Sequence, residues 1–512
     1  MTVFTSKFAD VSASDQTVTQ RVFDGLADRK DEVVLTDGVS GSSLTAGAFI
    51  ESVKRLAGGL TKRGFGAGKT IAIIAPNSPD YCVVFHAVVW AGGTITTLNP
   101  TYTAAEVAHQ LKDSNAEVLI TTPDILETAM DGANGLPVIA IGSADYDALF
   151  ADPMEQQATV DLDAHPAVLP YSSGTTGLPK GVMLSHRNLV VNLNQSLSAI
   201  DFRKGEVTAA FLPFFHIYGM TCLMNIHLAG GGALVTMPRF DLPLFLKISQ
   251  DHKASRMWVV PPVALALAKH PLVDDFDLSG LEQVIIAAAP SSAELTHTVS
   301  DRLNCTALQG YGMTELSPVS HINSVTAPRA GAAGVLIPNT SCKIVNPETG
   351  DDLTVGQEGE LWIKGPQVMM GYLNNPQATR ETITPDGWLR TGDIGYVDED
   401  GYLFIVDRLK ELIKFKGFQV APAELEATLV AMDGIADAAV IGIPDEEAGE
   451  VPMAFVVGGD AVPDVAAIHA HFQKTLSSYK QLSRIVFTDE IPKSASGKIL
   501  RRVLRDQIAS TD

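Results

Sequence analysis

The sequence predicts an α/β protein. A large N-terminal domain of stacked α/β subdomains and a β-rich subdomain is followed by a small α+β C-terminal domain. Three observations lead there. Helical and strand patterns alternate beyond about residue 30. Short strands with Gly and Pro turns fill residues 334–406. The 512 residues exceed the roughly 250–300 that one hydrophobic core organises.

The elements follow in order. Phe49, Val53, Leu56, Ala57 and Leu60 recur at helical spacing and predict one buried helix face. Residues 70–75 read as a buried strand, and Ser78-Pro79 opens a helix that stops near Gly92-Gly93. A strand over 94–98, a helix over 104–112 and a strand over 117–121 complete a mostly parallel sheet. The GFGAGK run at Gly64 precedes a strand and lacks dinucleotide-turn spacing, so it carries no site. Residues 185–200 predict a helix and 284–289 a strand, while Gly310, Tyr311 and Gly312 predict a tight turn. Beyond 419 a helix over 423–430 and strands over 438–441 and 453–457 form the last domain.

Bulk properties exclude several classes. The net charge of −22 disfavours nucleic-acid binding, which needs a basic face. Cys82, Cys222, Cys305 and Cys342 have neither metal-ligand spacing nor a disulfide framework, so a reducing, cytoplasmic location is expected. The N-terminus has no signal-peptide pattern, and Ser-Thr-Asp at the end is not a peroxisomal address. The longest apolar run, 82–91, is interrupted by His86 and too short for a transmembrane segment.

The chemistry is concentrated in YSSGTTGLPKGV, residues 171–182. Glycines permit close backbone approach to a ligand. Ser172, Ser173, Thr175, Thr176 and Lys180, with Gly174 and Gly177, can surround a polyphosphate. The spacing differs from a Walker loop, in which Gly-Lys-Ser/Thr opens a helix. Further along, Glu315 in YGMTE is a hard oxygen ligand suited to Mg²⁺. Asp393 in TGD is otherwise an ordinary turn aspartate, and His216 in FFHIYG otherwise an ordinary core histidine. Residues 407–419 hold more basic than acidic side chains inside an acidic protein, which suits an anion.

These motifs, in this order, resemble the adenylate-forming superfamily: acyl-CoA synthetases, bacterial 4-coumarate–CoA ligase-like enzymes, luciferases and stand-alone adenylation domains. The resemblance covers nearly the whole chain. It implies a large domain over 1–407 and a mobile lid over 408–512, hinged near Lys410. It implies an ATP-dependent acid–CoA ligase working through an acyl-AMP, with Mg²⁺ on Glu315. ATP would meet the 171–182 loop, Ala288, Ala289, Gln309, Gly310, Tyr311, Thr314, Asp393, Arg408, Gln419 and Lys498. The catalytic set would be Lys498 for adenylation, Lys414 for thioester formation, and His216, Thr314 and Glu315. His216, Tyr218, Cys222, Ala287, Gly312, Pro318 and Val319 would line the acyl pocket. Arg239, Lys416 and Gly417 would meet coenzyme A. A hydroxycinnamate or other aryl acid fits that pocket. A medium-chain fatty acid fits too, and apolar pockets separate such shapes weakly. Loading of a carrier protein stays open as an alternative to CoA, although the basic KFKG segment favours CoA. A nucleotide-binding protein without catalysis would not need both lid lysines and Glu315.

Overall fold

The structure is a computed structural model. It describes residues 2–172, 179–289, 291–416, 418–445, 447–459, 461–494 and 497–509. A seven-stranded sheet runs in the order Gly371–Tyr372, Lys180–Ser185, Pro166–Ser172, Thr94–Leu98, Thr70–Ile74, Ala116–Thr121, Val138–Ala140. Its last five strands are parallel, and the first two join antiparallel. The helix Ala46–Lys62 buries the five apolar residues the spacing singles out, and Thr45 caps it. Helix Pro79–Trp90 starts on Ser78 and Pro79 and is buried on all sides, as its continuous apolar sequence requires.

A second sheet orders Arg256–Val259, Gln283–Ile286, Thr306–Gly312, Val319–Ile322 and Val335–Leu336. Two expectations fail here. The strand expected over 284–289 stops at Ile286, because Ala288 takes a left-handed φ of 76°. Residues 310–312 are not a tight turn. They continue a strand, pairing with Ile322, His321 and Val319, and the chain reverses only at Thr314–Leu316. Gly312 is needed for that reversal, since a Cβ there would lie 2.2 Å from the Pro318 carbonyl oxygen.

The β-rich subdomain is a five-stranded sheet of Phe4–Thr5, Ser341–Val345, Gly359–Lys364, Leu389–Val397 and Leu403–Arg408. TGD, read as a turn, lies inside the strand Leu389–Val397, with Asp393 opposite Arg408. Cross-strand pairing overrides the poor strand propensity of Gly and Asp.

The C-terminal domain is built on the antiparallel pair Ile435–Asp445 and Gly449–Gly458. Helices Pro422–Val430 and Val465–Thr475 cover one face through Leu425, Leu429, Ile468 and Phe472, while Leu504 packs on the other. This core is separate from that of the large domain. Among the described residues, a small buried apolar cluster of Ile394, Leu412 and Ala421 forms where the two domains meet. Among the described residues no helix is long and apolar enough to cross a membrane.

Candidate active site

The phosphate-loop segment is bracketed by the antiparallel strands Pro166–Ser172 and Lys180–Ser185, with Ser172 opposite Lys180. Ser173, Gly174, Thr175, Thr176 and Gly177 lie outside the described residues. At the loop's mouth, Ser172 donates a 3.2 Å hydrogen bond to Oε1 of buried Glu315. Tyr372 donates to the same oxygen at 2.8 Å. The Lys180 ammonium sits 4.9 Å above the Tyr372 ring centre. Thr314 is buried beside Glu315 in the Thr314–Leu316 turn.

The carboxyl ends of the parallel strands open into a cavity of about 850 Å³. Ala288, Ala289, Gln309, Gly310 and Tyr311 line its floor, and Gly312 its edge. Small side chains at this end leave the backbone open to a flat ring, and open α/β sheets bind ligands there. Gln309 is already engaged, donating to the Ser291 carbonyl at 3.1 Å and to Thr296 at 3.3 Å. Opposite, Asp393 receives the Tyr311 hydroxyl on Oδ2 and pairs with Arg408 through Oδ1 at 3.2 Å. Burial and the Asp393 carboxylate keep the Tyr311 phenol protonated well above its ordinary range.

The C-terminal domain closes the cavity with Gln419 and Lys498. Lys498 follows a turn in which Ser494 N–H donates to the Lys498 carbonyl at 2.8 Å, and Lys498 N–H to Ser494 Oγ at 3.1 Å. Gly497 has φ 79°, and a Cβ on it would come within 3.1 Å of Val260, so the turn touches the large domain there. Burial and the Arg408 guanidinium push the Lys498 ammonium down to about 8, against the opposing pull of Glu411 and Asp393. Burial, then the positive charge of Lys498, lowers His216 to about 4. His216 Nδ1 accepts the Tyr218 N–H at 3.3 Å. The neutral ring therefore carries its proton on Nε2 and offers a donor rather than a base.

His216 leads into a π-helix, Tyr218–Asn225, that also carries Cys222. The Tyr218 hydroxyl shares its proton between the Val259 carbonyl at 3.3 Å and the Ile285 carbonyl at 3.5 Å, which anchors the ring. Burial pushes the Cys222 thiol far up, so it is an inert wall. Pro318 is buried, and Val319 N–H donates to Asn192 at 3.1 Å.

Of the described expected groups, Ser172, Lys180, Thr314, Glu315, His216, Tyr218, Cys222, Ala287, Pro318, Val319, Arg239, Lys410, Lys414 and Lys416 do not line this cavity, and the last four are exposed. Lys414 is exposed on the strand Ile413–Phe415. Lys416 is exposed and paired with Glu447. Arg239 is exposed in the segment after Ala233–Thr236. Lys410 is exposed in the connection after Leu403–Arg408, and Gly417 lies outside the described residues. Conversely, Glu411 and Arg501 line the cavity without having been singled out, and Arg501 binds Glu426 at 2.7 and 2.8 Å. Tyr372 was missed because its partner lies 57 positions away, beyond any periodic signal. Among the described residues no group of three or more His, Cys, Asp or Glu could hold a metal by itself.

Two family profiles match the chain: AMP-binding enzyme over residues 23–373, and AMP-binding enzyme C-terminal domain over 424–498. The chain is 42% identical over 528 residues to 4-coumarate–CoA ligase 5 of Oryza sativa subsp. japonica, covering 99% of this chain and 98% of that one. It is 42% identical over 509 residues to 4-coumarate–CoA ligase 1 of Petroselinum crispum, covering 96% and 94%. Among solved structures, ATP-bound MatB from Rhodopseudomonas palustris superposes with a TM-score of 0.88 at 29% identity, covering 96% of this chain and 98% of that one. The fold is also that of the anthranilate CoA ligase AuaEII in complex with anthranoyl-AMP, with a TM-score of 0.92 at 24% identity, covering 98% and 100%.

Proposed function

The chain belongs to the AMP-binding enzyme family, and from that premise we propose that it joins a hydroxycinnamic or related aryl acid to coenzyme A. It is an ATP-dependent acid–CoA ligase. In the first step a carboxylate oxygen attacks the α-phosphorus, the bond to the bridging oxygen breaks, and pyrophosphate leaves. In the second the CoA thiolate attacks the acyl carbon and AMP leaves with its electron pair. The observation that carries this reading is one cavity lined both by the Asp393–Arg408–Tyr311 cluster and by Lys498 of the C-terminal domain.

In this reading Asp393 and Arg408 hold the ribose, Lys498 and Thr314 meet the α-phosphate and carboxylate, and Lys180 faces the leaving pyrophosphate. Charge placed in advance where charge develops is the main source of acceleration in such a site. His216 donates from Nε2 toward the acyl oxygen. Glu315 fits Mg²⁺, because both of its described hydrogen bonds fall on Oε1 and Oε2 is left for a cation. Among the described residues no group of three or more His, Cys, Asp or Glu could hold the ion alone, so phosphate oxygens and water would complete its shell, which is usual for this ion. Bound there, it would neutralise phosphate charge.

Lys414, Lys416 and Arg239 serve the second step. The exposure of Lys414 and Lys416, both within 408–512, supports a lid that turns about Lys410 against a static part of 1–407. ATP, CoA and a small carboxylic acid are its partners, and the cytoplasm, where the four cysteines stay as thiols, is its location. Measuring kcat/KM for AMP release with CoA across coumarate, benzoate and hexanoate to laurate tests the substrate. Coumarate should lead by at least tenfold, and a lead by laurate or hexanoate replaces the aryl reading with a fatty acyl one.

A further inference from the structure

We propose that Tyr372 is a positioning residue that sets the metal-facing oxygen of Glu315 and the ammonium of Lys180 at once, an inference that rests on the ligase reading above. The backbone fixes Tyr372 first. The strand Gly371–Tyr372 adds to the edge of Lys180–Ser185, with Tyr372 opposite Val182. Leu373 N–H donates to the Gly181 carbonyl at 2.8 Å, Met370 N–H to the Met183 carbonyl at 3.0 Å, and Tyr372 N–H to Thr379 at 2.9 Å. The same segment holds the backbone of Glu315, through Met369 N–H on its carbonyl at 2.9 Å. The side chain then spans the gap. Its hydroxyl donates to Glu315 Oε1 at 2.8 Å, and its ring face lies 4.9 Å beneath Lys180.

A carboxylate can only accept, so the Tyr372 hydroxyl is the donor of this hydrogen bond. With Ser172 on the same oxygen, the carboxyl plane is set and Oε2 is turned away from both donors. The aromatic face attracts the ammonium without an anion that would compete with phosphate for it. One side chain thus holds an acidic and a basic residue at fixed spacing. A carboxylate in place of Tyr372 would neutralise Lys180, and an aliphatic residue would release both groups.

The test is calorimetric binding of α,β-methylene-ATP at a series of Mg²⁺ concentrations, with AMP in the absence of Mg²⁺ as control. Tyr372→Phe keeps the ring and loses the hydroxyl. It should raise the Mg²⁺ concentration for half-maximal analogue binding about tenfold, as loss of an outer partner of a metal ligand does. AMP binding should not change, and excess Mg²⁺ should restore analogue affinity. Tyr372→Leu should also weaken the Mg²⁺-free analogue about two- to fivefold by releasing Lys180. In a Glu315→Gln background the Tyr372→Phe effect should vanish. A wild-type Mg²⁺ dependence in Tyr372→Phe, an equal loss of AMP binding, or an undiminished effect in the Glu315→Gln background would each overturn the proposal. If the wild-type chain binds neither analogue nor AMP, the ligase reading falls first and this inference with it.

Discussion

At the scale of single residues, the cavity makes Lys498 a weak cation. Its ordinary value of 10.5 is brought down to about 8 by burial and Arg408. The charged form is the one that meets phosphate, so kcat/KM for ATP in acyl-AMP formation should fall as pH rises through about 8, with unit slope. Lys498→Ala should abolish acyl-AMP formation and still convert supplied acyl-AMP to thioester. ATP–pyrophosphate exchange and a single-turnover assay report the two steps separately, and intact exchange in the variant would exclude the assigned role. Stability has the opposite trend. Between about 8 and 10.5 the folded chain binds fewer protons than the unfolded one, so this group's contribution to stability grows with pH there. Residues such as Lys498, Glu315 and Asp393 were legible in sequence because their neighbours form short local motifs. Tyr372, Glu411 and Arg501 were not, because each is defined by a partner far along the chain.

At the scale of elements, the lid helix Pro422–Val430 begins on Ala421, which has no side chain able to cap it. The missing acceptor comes from another element. Asp407, buried at the end of Leu403–Arg408, accepts the Ala423 N–H on Oδ2 at 2.9 Å and the Arg408 N–H on Oδ1 at 2.7 Å. Burial raises its carboxyl above the ordinary range while Arg501 pulls it down. Asp407→Ala should cost about 1–2 kcal/mol in urea unfolding, the range for a lost cap. Asp407→Asn should recover more than half. Because the cap links the β-rich sheet to the lid, Asp407→Ala should also slow acyl-AMP formation more than thioester formation from supplied acyl-AMP. Equal slowing of both steps would leave the cap a purely local device. Elements with continuous apolar runs bounded by clear start and stop residues, such as Thr70–Ile74 and Pro79–Trp90, were readable to within a residue or two. Strands carrying Gly310–Gly312 and Gly392–Asp393 were not, because their conformation comes from cross-strand partners and not from local propensity.

At the scale of the whole molecule, two cores fold around different sheets and meet through Ile394, Leu412 and Ala421. Two cooperative units are the expectation, since two-state behaviour belongs to a single core. Scanning calorimetry should resolve two transitions, the smaller one first. A non-hydrolysable ATP analogue should draw them together, because Asp393 and Lys498 line one cavity and a shared ligand stabilises both parts by mass action. A single transition without ligand would mean that the polar contacts across the seam carry more coupling than its apolar area suggests.

The slightness of that seam has a bearing on descent. The side chains proposed to read the acid, from His216 to Val319, all precede it, and of those proposed to greet the thiol Lys414 and Lys416 lie after Leu412 begins the other unit while Arg239 lies before it. Choice of acid is therefore heritable apart from most of the competence toward the thiol. Recombination between relatives at 409–411 has a small apolar cluster and the Asp407 cap on Ala423 to preserve, so such a chain can acquire a new acid and keep the lid that hands it on.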